Sequence, residues 1–260
     1  MILKADSDAF CNKRVKSIDI FALACLFACN FILSLSIKIK KFLVLYKYYR
    51  YVIYWWRDRK TVKKGSEKTV AKALIIVDVQ RDFCPGGTLA VNNGDEVIPP
   101  LNRMIAHARA NNWLIIVTRD WHPEYMREHF KKDGGAWPVH CVQNTWGSEF
   151  HPDLNIGYHA HIISKGNDPL KNGYSGFESR LLETILNLWN VDAIYIGGLA
   201  TDYCVKETAL DARRKTLITI WLLTDAIRAV KLNEGDEEKA LQQMRDAGVL
   251  FTTTDDVLVS

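Results

Sequence analysis

The chain has 260 residues, 48% hydrophobic and 25% charged, a composition that excludes a disordered or low-complexity polymer. Its net charge of +4 is unevenly spread: residues 1–70 hold 15 Lys and Arg against 5 Asp and Glu, whereas the remainder holds 19 against 25. The basic excess therefore lies wholly in the N-terminal segment, and the rest carries no electrostatic footprint for nucleic acid.

Ile18 to Ile37 is nearly all apolar, flanked by Lys13, Arg14 and Lys16 on one side and Lys38, Lys40 and Lys41 on the other. About twenty such residues can span a bilayer, and the aromatic and basic run that follows (FLVLYKYYRYVIYWWRDRK) suits a membrane interface. The expectation is a membrane-anchor helix over residues 18–37, with the larger cationic excess on its C-terminal side holding a catalytic domain in the cytoplasm. The competing reading is an extension foreign to the natural chain, through a mis-called start. Residues 57–70 read as a charged linker, so the boundaries expected are an N-terminal extension over 1–70 and one globular domain over 71–260.

From Lys72 the pattern alternates. Ala73 to Val77 is a short apolar run ending in Asp78, as in a strand buried on both faces. Glu96 to Asn111 has helical spacing through Val97, Leu101, Met104, Ile105 and Ala108. Strands follow at Trp113 to Thr118 and His161 to Ser164. A helix is expected over Phe177 to Trp189, with Leu181, Leu182, Ile185, Leu188 and Trp189 as its apolar stripe. Then come a strand at Ala193 to Ile196, a helix over Thr201 to Arg214, a strand at Ile218 to Leu223, a helix over Glu237 to Ala247 and a strand at Val249 to Thr252. Alternation of this kind predicts an α/β fold: a mainly parallel, Rossmann-like sheet between two helical layers, with ligands at the carboxyl edge.

Four chemistry-bearing groups follow strand ends: Asp78, Asp120, Lys165 and the turn carrying Cys204. Cys204 falls in the first turn of a helix, where the dipole favours thiolate. A buried core cysteine is the competing reading. The six cysteines (11, 25, 29, 84, 141 and 204) show no CxxC and suit a reducing compartment rather than a disulfide framework. Asp78 can serve as a general base or as a capping residue. Lys165 can stabilise a thiolate or stand solvated at the surface. Asp82 reads as a turn or cap residue. Asp120 and His122 are two apart on an extended segment and so face the same way, and His140 returns after Gly134-Gly135 and Trp137-Pro138. One carboxylate and two imidazoles suit Zn²⁺, with Mn²⁺ or Fe²⁺ as alternatives. His129 is a further candidate ligand, while His151, His159 and His161 read as structural or surface residues.

Five segments in order (ALIIVDVQRDFCPGGTLAV, IIVTRDWHP, WPVHCVQNTWGSEF, SKGNDP with YSGFES, and GGLATDYCVKETALDA) make the chain from about Lys72 to Val259 resemble the nicotinamidases (pyrazinamidases) of the isochorismatase-like cysteine hydrolases. The resemblance implies a three-layer α/β/α fold. It implies hydrolysis of nicotinamide, and of pyrazinamide, to the acid and ammonia through a Cys thioester. In that light Cys204 is the nucleophile, Asp78 the general base and Lys165 the third triad member. The amides of Ala200 and Cys204 form the oxyanion hole, with a cis peptide at Leu199-Ala200. Asp120, His122 and His140 hold one divalent metal, zinc first. Phe83 and Trp137 sandwich the ring, Tyr174 lies at the pocket edge, and a homo-oligomer is expected. The loop DWHPEYMREHF is one residue longer than the family's pattern, which leaves His129 displaced from the usual histidine position. The rival readings are a hydrolase of another small amide, an isochorismatase, and a catalytically silent membrane-associated binding protein.

Overall fold

The computed structural model describes residues 71–125, 137–168 and 173–259. The sheet has six strands: β1 (Ala71–Val77), β2 (Leu114–Asp120), β3 (His161–Lys165), β4 (Val191–Leu199), β5 (Thr219–Arg228) and β6 (Leu250–Thr252). Their spatial order is β3-β2-β1-β4-β5-β6, and every pairing is parallel. The chain runs outward from β1 to β3, then returns to build the other half from β4. The reversal lies between β1 and β4, where a doubly wound sheet opens a crevice beyond its strand ends. Asp78 leaves β1 there, and Cys204 follows β4.

The strand apolarity follows from two-sided burial. Along β1, Ala73, Ile75 and Val77 face one cluster and Leu74 and Ile76 the other. The first cluster is closed by α2 (Arg180–Leu188), α3 (Lys206–Lys215) and α4 (Asp236–Asp246), through residues such as Leu182, Leu186, Ala209 and Met244. The second is closed by α1 (Ile98–Ala110) and the short α5 (Thr254–Leu258), through Leu101, Met104, Ile105 and Val257. The result is three α/β/α layers. Truncating a fully buried strand residue such as Ile75 to Ala costs about 2–5 kcal/mol in such a core.

Local chemistry sets the helix starts. Prolines occupy the first turn of α1, where no amide hydrogen is needed. The Ser179 side chain caps α2, and Thr253 with Asp256 forms a capping box on α5.

Several expectations are corrected. The stripe of α2 was misplaced: Leu181, Leu188 and Trp189 are 51%, 64% and 45% exposed, and the buried residues are Leu182, Ile185 and Leu186. A nine-residue helix can bury only about two turns of one face, and Leu186 is the residue that completes it. The helix expected from Thr201 begins as a wide π-type turn, Thr201–Val205, before α3. β5 continues five residues beyond the expected end, and α5 was not foreseen.

Membrane contact through residues 18–37, and with it an anchored location, is also corrected. Among the described residues no helix is long and apolar enough to cross a membrane. The longest has 13 residues and presents polar groups on its outer face, against about 20 apolar residues for a span. Residues 18–37 themselves lie outside the described residues, as does His129.

Candidate active site and metal centre

Asp78 is wholly buried and adopts φ +48°, a left-handed conformation uncommon for a non-glycine residue. The turn bends the chain abruptly off β1 and aims the carboxylate across the crevice. Thr118 Oγ donates to Asp78 Oδ1 at 2.6 Å. Asp78 Oδ2 forms an ion pair with Lys165 Nζ at 2.8 Å but makes no well-angled hydrogen bond. That oxygen therefore retains a lone pair able to take a proton.

Lys165, at the end of β3, is only 2% exposed. Its ammonium lies 2.8 Å from Asp78, 2.5 Å from Asp120 Oδ1, 2.8 Å from the Gly173 carbonyl and 3.3 Å from Cys204 Sγ. Burial alone would lower its proton affinity, but the two carboxylates outweigh burial and hold its pKa well above the usual lysine value.

Cys204 lies in the π-type turn after β4, next to the cis Leu199-Ala200 peptide. Burial pushes its pKa well above the usual thiol value; Lys165 pulls against this, while Asp78 and Asp120 add to it. Burial likewise raises the pKa of Asp78 against the opposing effect of Lys165. A buried carboxylate of raised proton affinity is a better base for a buried thiol than an exposed one would be.

Asp120 connects this cluster to a second one. While Oδ1 meets Lys165, Oδ2 faces His122 Nε2 and His140 Nε2, each at 3.8 Å. Each imidazole has its Nδ1 against a backbone carbonyl: Gly166 O at 2.6 Å for His122, Pro138 O at 2.7 Å for His140. A carbonyl can only accept, so each Nδ1 carries the hydrogen and, in the neutral ring, each Nε2 presents a lone pair. Ligand atoms of Asp120, His122 and His140 all lie within 4.8 Å of one another. Two neutral imidazoles oriented from behind and one carboxylate are the donor set of a divalent-metal site of the zinc type with room for exogenous ligands. Burial works to raise the Asp120 pKa, but the Lys165 ammonium beside it outweighs burial and holds the carboxyl well below the usual carboxylate range. Asp78, Asp120 and Cys204 also bring three ligand atoms within 4.8 Å, but there the Lys165 ammonium already supplies the positive charge.

The aromatic residues flank this edge. The Phe83 ring packs 5.6 Å from His140. Trp137 Nε1 donates to the Tyr174 hydroxyl at 3.0 Å, and Trp137 meets Tyr203 edge-on at 4.9 Å. Tyr203 also packs against Tyr174. The structure thus brings Cys204, Asp78, Lys165, Asp120, His122 and His140 into one cluster with the aromatic residues beside it; His129 lies outside the described residues.

Some contributors were missed. The buried Gln80 amide accepts from Asp120 N at 2.7 Å and donates to the carbonyls of Asp120 and Ser148. Asp82 is more than a turn residue: its carboxylate accepts from Cys141 N at 2.7 Å and from Thr88 N, fixing the loop after His140. Asp202 does not cap its own helix; it accepts from the amides of Val230 and Lys231 and ties the Cys204 turn to the segment after β5. Only the Thr118 contribution was signalled in the sequence, since strand alternation places it on the same face as Asp120.

Residues 72–256 match the isochorismatase domain family. The chain is 37% identical over 205 residues to a nicotinamidase of Escherichia coli, covering 71% of this chain and 96% of the relative. It resembles the solved pyrazinamidase of Pyrococcus horikoshii in complex with zinc at 46% identity and a TM-score of 0.64, covering 70% of this chain and 98% of that one. A nicotinate complex from L. infantum is similar at 32% identity and a TM-score of 0.64, covering 74% and 96%. Sequence, fold and the donor set around Asp120 agree, and the chain belongs to the isochorismatase family as a nicotinamidase/pyrazinamidase-like, metal- and cysteine-associated hydrolase of small carboxamides.

Proposed function

We propose that the protein hydrolyses nicotinamide to nicotinate and ammonia. The observation that carries this reading is the shared carboxylate: Asp120 contacts the Lys165 ammonium through one oxygen and faces two imidazoles through the other. A carboxamide placed at Cys204 would thus have a metal site beside it for a second functional group on the same small ring. The relatives whose names specify nicotinamidase or pyrazinamidase support that substrate class.

Phe83 and Trp137 enclose the pyridine ring, with Tyr174 holding Trp137 through its hydroxyl. A divalent ion held by Asp120, His122 and His140, zinc in the first instance, would supply a Lewis-acid anchor for the ring nitrogen. Asp78 takes the proton from Cys204 as Sγ attacks the carboxamide carbon, and the carbonyl π pair moves onto oxygen. The amides of Ala200 and Cys204 hold that oxyanion. Asp78 then passes the proton to the amide nitrogen, the C–N bond breaks and ammonia leaves a thioester. A water molecule gives one proton to Asp78 and attacks the thioester, and the C–S bond breaks to release nicotinic acid, which loses its remaining acidic proton to solvent to give nicotinate. Asp78 returns the proton to Sγ. Lys165 keeps its charge throughout and offsets the negative charge that moves among Asp78, Sγ and Asp120.

The test is ammonia release from nicotinamide by purified protein supplied with Zn²⁺, Mn²⁺ or Fe²⁺ in turn. Turnover that disappears in Cys204→Ala supports the proposal. No release above the Cys204→Ala background with any of the three ions, in folded protein, overturns it.

A further inference from the structure

Two glycines outside the ligand set lie directly behind the metal site. Gly166 follows Lys165 at φ +70°, and its carbonyl receives His122 Nδ1–H at 2.6 Å. A Cβ at Gly166 would fall 2.5 Å from His122 Cε1 and 3.0 Å from Nδ1. That obstacle is a rigid ring rather than the tip of a flexible chain, so the imidazole would have to move. Gly173, at φ +76°, packs against Gly166 in turn: its Cβ would lie 3.0 Å from Gly166 Cα. The Gly173 carbonyl meanwhile accepts from Lys165 Nζ at 2.8 Å. The Lys165 carbonyl accepts from Trp121 N at 2.9 Å, which pins this backbone to the segment bearing His122.

We infer that Gly166 is a positioning residue of the metal centre: it aims His122 Nε2 at the ion through its carbonyl and leaves, by lacking a side chain, the space the imidazole occupies, while Gly173 seats it from behind. A neutral His accepts a metal at one nitrogen only, and the partner of the other nitrogen decides which one and at what angle. Here that partner is a backbone carbonyl, which no side-chain substitution can remove but a Cβ on the same residue can displace. The role of Gly173 follows from the close approach of two backbones, which a side chain on either residue would widen. This inference rests on the metal site proposed above.

The experiment is titration of Zn²⁺ into metal-stripped protein against a chromogenic chelator, with thermal unfolding recorded in parallel. Wild type should bind one equivalent. Gly166→Ala should bind roughly 10- to 100-fold more weakly, the loss expected when the outer hydrogen bond of a ligating histidine is disturbed. Gly173→Ala, whose clash is milder, should lose affinity in the same direction but less, and it carries the test if Gly166→Ala does not fold. Gly235→Ala is the control: Gly235 has φ +84° with nothing within 4 Å of a Cβ, so it should lose stability through backbone strain and keep wild-type Zn²⁺ affinity. If wild type binds no Zn²⁺, the metal reading itself fails. If wild type binds and the folded Gly166 and Gly173 variants bind equally well, the metal reading stands and the positioning role is overturned. Equal loss of affinity in Gly235→Ala would also overturn it, because general destabilisation would then be the cause.

Discussion

The two halves of the site share one carboxylate and balance charge in opposite ways. Around Cys204, two buried carboxylates and a thiol converge on a single ammonium, so the positive charge belongs to the polypeptide. Around His122 and His140, two oriented imidazoles face the other oxygen of the shared carboxylate. The first half can exist in the folded chain alone. The second is built to receive a cation from solution. A dry cluster of buried charges is stable only when its members are paired, and the two halves meet that condition by different means.

The largest expected effect comes from removing the proposed nucleophile. Cys204→Ala should lower kcat for nicotinamide by on the order of 10⁴-fold or more and leave Zn²⁺ affinity within a factor of two or so. Substantial turnover in this variant would show that the first half is not where the bond breaks. Lys165→Ala comes next. It leaves Asp78 and Asp120 buried without their ammonium, and breaking a buried pair of this kind costs about 3–5 kcal/mol. A denaturant midpoint unchanged from wild type would show that the first half does not depend on its own cation.

His140→Ala should behave differently. It should weaken Zn²⁺ binding and raise KM for nicotinamide, while the unfolding midpoint of the metal-stripped protein falls by less than in Lys165→Ala. A loss of apo stability as large as that of Lys165→Ala would erase the distinction between the halves. The smallest effect is expected at the rim. Tyr174→Phe removes the acceptor of Trp137 Nε1, a bond with a net value of about 1 kcal/mol, and should raise KM several-fold with kcat near wild type. A fall in kcat without a change in KM would place Tyr174 in the chemistry instead of the wall.

The difference between the halves also bears on what could be read in advance. Asp120, His122 and His140 share one loop region, and strand alternation already placed the first two on one side. The Cys204 cluster joins residues 87 and 39 positions apart through three strand ends, and the doubly wound sheet alone brings them into contact. Alternation of strands and helices predicted that sheet, so the convergence of strand ends on one edge was legible. The electrostatics were not. The helix start favours a thiolate at Cys204, but burial pushes its pKa up while Lys165 pulls it down. Burial depth depends on what α2, α3 and the loops lay over the crevice, and no local pattern encodes it. The stripe on α2 failed for a related reason: Leu181 and Leu186 are both plausible members of an apolar face, and only the docking of the helix on the sheet selects one.

The sequence by itself determined the element types from hydrophobic periodicity, the parallel sheet from their alternation, and the identities of the reactive groups at the strand ends. These are local properties, set by side-chain chemistry within a few residues. Tertiary structure alone decided the strand order that opens the crevice between β1 and β4, the division of Asp120 between an ammonium and two imidazoles, and the glycine backbone behind His122. Each of these depends on distances between segments far apart in the chain, and such distances are set by how the layers pack.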